Sequence, residues 1–239
     1  MAIESISYSN ISNSTANSGT VAITVPADAT LAVLMLSGYN GTTNYFTGGT
    51  DPTINSVTMS QVTGTDGDTG KWMGAMFYLV NPATGSQTLA WDWAGTGAGD
   101  QANVFVMAYY KGVDTADLVR DTFGAQFANN PYASDTLTAA SGDLIIACAG
   151  AYFDGAESHS WTGATTVASF NPIAYANLVF AEASPTGNQS VTYTGNMNDG
   201  ALGCLVLKPA AAAGGNKITR SYPRGMQRGY PRRQLLSNI

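Results

Sequence analysis

The chain has 239 residues, of which 44% are hydrophobic and only 11% are charged, and its net charge is −6. That apolar content excludes a disordered chain, which combines low hydrophobicity with high charge, and no run of about 18 apolar residues exists to form a membrane-spanning helix. The net charge hides a division: residues 1–210 carry all sixteen acidic residues and four basic ones, a net −12, whereas 211–239 carry the other six basic residues and no acid, a net +6.

A chain of this length suits one large all-β domain or two small ones, and it buries roughly 70–75% of its unfolded surface without help from disulfides or metals. The opening "MAIESISYSNIS" has no basic n-region and no apolar h-region, so no secretory signal peptide is expected. "GTVAITVP" (19–26) alternates apolar and polar residues as a half-buried strand does, and "ATLAVLMLSGY" (29–39) is a continuous apolar run of strand length. "TINSVTMSQV" (53–62), "WMGAMFYLV" (72–80), "SQTLAWDWAG" (86–95) and "ANVFVMAYYKGV" (102–113) follow, separated by turn residues such as "NPATG" and "GTGAGD". Residues 114–134 carry more charge and less alternation and read as one short helix or a long loop. No other stretch shows a 3.6-residue stripe with caps. Many short strands at regular spacing predict a sandwich or barrel. Cys148, in "LIIACAGAY", and Cys204, in "GALGCLVLK", are predicted to be buried free thiols.

The chain also resembles itself. "AITVPADATLAVLMLSGY" (22–39) is echoed by "TLTAASGDLIIACAGAY" (136–152), and "AMFYLVNPATGSQTLAWDW" (75–93) by "LVFAEASPTGNQSVTYTG" (178–195). "VFVMAYYKG" (104–112) then corresponds to "LGCLVLKP" (202–209). The shared order of three motifs predicts two related halves, about 19–113 and 134–209, within a body of residues 1–209. The simplest packing would give each half one sheet of a single sandwich. Ala210 to Gly215, "AAAAGG", reads as a linker to a basic arm, so 210–239 stand outside the body.

The pattern "VPADATLAVLMLSGY … INSVTM … NPATGSQTLAW … VFVMAYYKGVD" resembles β-sandwich, jelly-roll-like domains of tailed-bacteriophage virion proteins and of some bacterial surface proteins. It covers most of 19–113, 134–209 less closely, and none of the arm. The resemblance implies a structural or adhesive role on a particle and carries over no functional residue.

Residues able to support chemistry are few. His159, in "ESHSWTG", is the only histidine, and a loop histidine between serines is more often solvated than catalytic. Asp154, Glu157 and Glu182 are candidates for a hydrolytic carboxylate pair by residue type alone. Asp66 and Asp68, two apart in "GTDGDTG", are oxygen ligands at a spacing that suits Ca²⁺, but a Gly/Asp hairpin tip has the same pattern. Trp91 and Trp93 share one strand face and would make a glycan-stacking platform if exposed; Leu89 on that same face points to burial.

The arm carries an eight-residue repeat, "RSYPRGMQ" then "RGYPRRQL", and ends in "LLSNI". Pro223, Gly225, Gly229 and Pro231 disfavour a helix and favour extended backbone. Arg220, Tyr222, Arg224, Arg228, Tyr230, Arg232 and Arg233, with Leu235, Leu236 and Ile239, are therefore the expected partner-binding residues, since tyrosine and arginine are preferred interface anchors. The expectation is a non-enzymatic virion structural protein, without cofactor or metal: a capsid-decoration, head-fibre or tail-appendage component. Its arm would hold it to other virion subunits or further copies of itself. The rivals are a carbohydrate-binding adhesin that uses Trp91 and Trp93 on a host surface glycan, a capsid shell protein whose arm contacts nucleic acid, and a glycan hydrolase.

Overall fold

The structure is a computed structural model that describes residues 2–14, 18–39, 50–62, 67–68, 72–92, 102–127, 131–153, 159–173, 176–195 and 197–211. Every helix-or-strand element among them is a strand. Residues of the first half form β1 (Glu4–Ser14), β2 (Ser18–Val25), β3 (Leu31–Tyr39), β4 (Thr50–Ile54), β5 (Val57–Thr58), β6 (Ser60–Gln61), β7 (Gly67–Asp68), β8 (Trp72–Val80), β9 (Gly85–Asp92) and β10 (Ala102–Lys111). The second half forms β11 (Val119–Phe127), β12 (Tyr132–Ala133), β13 (Leu144–Phe153), β14 (His159–Thr162), β15 (Thr165–Ile173), β16 (Ala176–Ala183), β17 (Thr192–Gly195) and β18 (Met197–Leu207).

These strands make four antiparallel sheets. The first half supplies β1-β10-β3-β8-β6, with β7 also on β8, and β2-β9-β4-β5; the second supplies β11-β18-β13-β16-β15 and β12-β17-β14. The side chains show how the sheets stack. Leu31, Val33, Met35, Val104 and Val106 meet Ile146, Cys148, Leu178, Phe180 and Leu205 in one core, which joins the two five-stranded orders face to face. The alternate residues Leu34, Leu36, Phe77, Phe105 and Met107 pack instead on Ile23, Val25, Leu89 and Trp91 of the β2-β9 sheet. In the same way Ile145, Ala147, Val179 and Val206 pack on Leu137, Val191 and Tyr193 of the outer layer containing β17. The protein is thus a four-layer stack of outer, inner, inner and outer sheets.

This layering explains the two kinds of strand in the sequence. An inner strand is covered on both faces, so it must be apolar throughout, as β3 is buried at every residue from Leu31 to Ser37. An outer strand is covered on one face, and β2 and β9 alternate accordingly between exposed and buried residues.

The expectation of one sheet from each half is corrected: each half contributes two sheets and is a sandwich in itself. Once the strands are renumbered within a half, counting β5 and β6 as one and leaving out the two-residue β7, both inner sheets read 1-8-3-6-5, and the outer sheets read 2-7-4-5 and 2-7-4. Pro82–Leu89 and Pro185–Val191 both lead into the seventh strand of their half, β9 and β17. The halves also begin earlier than 19 and 134, because β1 and β11 are their first strands. Residues 114–134, expected to be a short helix or loop, therefore contain β11. Its side chains are mostly half-buried, and that blurs the alternation.

The halves are related by a pseudo-twofold axis along the strands. Across the seam β3 faces β13, β8 faces β18, β10 faces β16 and β1 faces β15, the exchange that such an axis produces. Equivalent residues meet on it: a Cβ on Gly150 would lie 2.5 Å from Ser37 Oγ and 2.6 Å from Ser37 Cβ. Only glycine lets the two central strands approach so closely. The axis also gives the stack two distinct ends. Ser14, Tyr39, Trp72, Asp92 and Ala102 mark one end in the first half, as Phe127, Phe153, Ile173 and Gly195 do in the second. The opposite end carries Ala2, the turns into β3 and β13, and the exit of the chain beyond Leu207.

Candidate partner-docking site

The arm leaves from a root tied to both halves. Lys208 N–H donates to Leu118 O at 2.9 Å, Asp114 N–H to Lys208 O at 2.8 Å, and Ala210 N–H to Gly112 O at 2.8 Å, around a bridge between Val113 and Pro209. Gly112 has φ of 75°, and a Cβ there would run into the Ala2 carbonyl, so the N-terminal segment is folded against the same root. The departing chain therefore starts from a fixed point rather than from a frayed strand end.

Around this root, every described cation of the body already has an anion. Lys111 Nζ lies 3.1 Å from Glu4 and 3.0 Å from Asp28, whose hydrogen bonds hold the ammonium above its usual pKa. Lys208 Nζ lies 2.5 Å from Asp117. Arg120 grips Asp143 with two nitrogens, at 2.5 and 3.1 Å, while Asp143 also accepts the Ala140 N–H at 2.7 Å.

One carboxylate in the seam has no cation among the described residues. Glu182, on β16, faces the first half and accepts a 2.8 Å hydrogen bond from the hydroxyl of fully buried Tyr110. Burial raises the carboxyl pKa, and the hydrogen bonds from Tyr110 and Ser5 only partly offset it. Glu182 lies at the edge of an open cleft of about 560 Å³ whose apolar wall includes Leu144, Ala164, Val167 and Ala183. The pseudo-symmetric position of Glu182 is Tyr78, which lines a smaller cleft of about 360 Å³ beside Arg120. The two clefts share a place in the fold but not a charge.

The sequence candidates are dispersed. All ten arm residues from Arg220 to Ile239 lie outside the described residues, as do Asp66, Trp93, Asp154 and Glu157; Asp68 ends β7. Trp91 is only 6% exposed, with its ring centroid 4.7 Å from that of Phe105 and its indole over Gly19, so it offers no stacking platform for a glycan. Its partner Leu89 is fully buried on the same face, which is the physical reason the ring turns inward. His159 opens β14 opposite Gly195, and among the described residues no three His, Cys, Asp or Glu side chains come together. Cys148 and Cys204 are buried free thiols on opposite faces of their sheet, and burial pushes the Cys148 thiol up to about 12. Glu182 had only its residue type to recommend it, and nothing in "AYYKGVD" marks Tyr110 as its partner. The pairing arises across the seam, over 72 residues of sequence.

No protein-family model matches the chain, and no curated protein or solved structure matches it.

Proposed function

We propose that the protein is a non-enzymatic structural component of a virion, held to neighbouring subunits by its C-terminal arm. The observation that carries this reading is the polarity of the molecule. An acidic, four-layer body passes into a +6 segment from a hydrogen-bonded root at one end. Ten basic residues serve the whole chain, and three of the four in the body are held in ion pairs. Positive charge available to an outside partner is therefore concentrated in the arm, where it would be drawn to acidic surfaces such as another copy's body. The strand order 1-8-3-6 against 2-7-4 is read here as two fused jelly rolls, in keeping with the resemblance to tailed-phage appendage domains. Burial of Trp91 weighs against the adhesin that would use it. The test is removal of residues 212–239. The truncated body is expected to keep the far-ultraviolet circular dichroism of the full chain and to be lost from purified particles. Normal incorporation of the truncated protein would refute the reading.

A further inference from the structure

We infer that in the free protein the Glu182 cleft is the docking site for the chain's own arm, with the repeat Arg220–Tyr222–Arg224 as the occupant. This goes beyond the anchoring role and does not depend on it, because it concerns the protein before any partner is met.

Glu182 is half-buried and has no cation within reach among the described residues, although a buried carboxylate without a counter-charge is costly. Among the described residues the body has no cation to spare for it. Lys111, Arg120 and Lys208 are paired with other acids. Lys71 lies outside the described residues, and Trp72, the residue after it, begins β8 at the end of the stack opposite the root. The remaining six cations are all in the arm.

Reach and shape agree with this assignment. Glu182 is level with Leu205 of β18, two strand spacings or about 10 Å away, and the described chain runs six residues further, to Ala211. Eight residues lie between Ala211 and Arg220, nine steps that span about 30 Å when extended. Extended backbone, favoured by Pro223, puts Arg220, Tyr222 and Arg224 on one side. A tyrosine ring would then lie on Leu144, Ala164, Val167 and Ala183 while a neighbouring guanidinium forms a charge-assisted pair with the Glu182 carboxylate. The same-chain source is favoured because so short a tether gives a high effective concentration at the cleft. The pseudo-symmetric cleft offers no such charge, since Tyr78 stands in place of the glutamate and the nearby Arg120 is already paired. The arm would be handed to a neighbouring subunit only when a better surface displaces it.

Limited trypsin digestion of the full chain tests this, because all six basic residues of the arm are cleavage sites and a docked arm is cut only after it opens. In Glu182→Gln, which keeps the acceptor for Tyr110, the first cleavage within 217–233 should speed up about tenfold, the ratio expected on losing one hydrogen bond to a charged group. The control Asp92→Asn, an exposed acid at the far end, should leave the rate unchanged. Equal cleavage rates in Glu182→Gln and the parent protein, with unchanged circular dichroism, would overturn the inference. Protection that vanishes on dilution would overturn the same-chain assignment. A photo-crosslinking residue at Thr165, on the cleft rim, provides a measurement that does not depend on the folding of the glutamine variant. It should capture the arm segment within the same molecule, and capture of any other segment would overturn the inference. Equal cleavage of Glu182→Gln and the parent protein alongside loss of the truncated body from particles would overturn this inference and leave the anchoring role intact, so the two readings fail separately.

Discussion

At the scale of single residues, the seam depends on one missing side chain. Ser37 and Gly150 are equivalent positions of the two central strands, and they touch where the pseudo-twofold axis passes. A methyl group on Gly150 would overlap the Cβ of Ser37, which a rotamer change cannot move, so strands or sheets must shift. Gly150→Ala is expected to lower stability by about 1–3 kcal/mol, the usual cost of overpacking a core. Ser37→Gly should restore part of that loss, giving a favourable coupling in a double-mutant cycle followed by chemical denaturation. Additive effects of the two substitutions would mean that the strands do not meet there. The serine in one half and the glycine in the other also show why a repeat can diverge where its copies face each other: one side chain fits in the gap, and two do not.

At the scale of elements, the pattern of the sequence reports which layer a strand occupies. "LAVLML" is apolar at consecutive positions because β3 has a sheet on each face, and "TVAITV" alternates because β2 has only one. That much of the fold was legible. The first strand of each half was not, because β1 and β11 are sheet edges, rich in Ser, Asn, Asp and Thr, and pair on one side only. Their contribution comes from long-range contacts that periodicity does not record. Tyr8 of β1, for example, donates to Val167 O across the seam at 3.1 Å and meets Phe180 edge-on at 5.4 Å. On the other edge, Arg120 of β11 reaches over β18 to Asp143, whose side chain has no exposed surface. Arg120→Ala leaves that carboxylate buried without its cation, so a clear loss of stability is expected in denaturant titration. No measurable loss would instead place the pair among the weak ion pairs of the surface.

At the scale of the whole molecule, duplication and charge division together explain the architecture. Two sandwiches whose inner sheets share one strand order bury those sheets against each other, leaving outer sheets on both faces of the stack and two unlike ends. The duplication was legible in the paired "PATGSQTL" and "PTGNQSV" segments. The back-to-back stacking was not, because strand patterns show that a face is covered but not by which sheet. The ten arm residues singled out in the sequence lie outside the described residues, and the cleft that would receive them has no local signature, since Glu182 meets its partner Tyr110 only across the seam between the halves. In the proposed role, polarity would let one end be fixed to a particle while the other faces away. Cryo-electron microscopy of the assembled particle tests that claim most directly. The account predicts density for Arg220 to Ile239 lying extended on an adjacent subunit, with Tyr222 and Tyr230 buried and the end marked by Tyr39 and Phe153 pointing away from the particle. A body attached through that far end, or an arm without ordered contact to a neighbour, would contradict it.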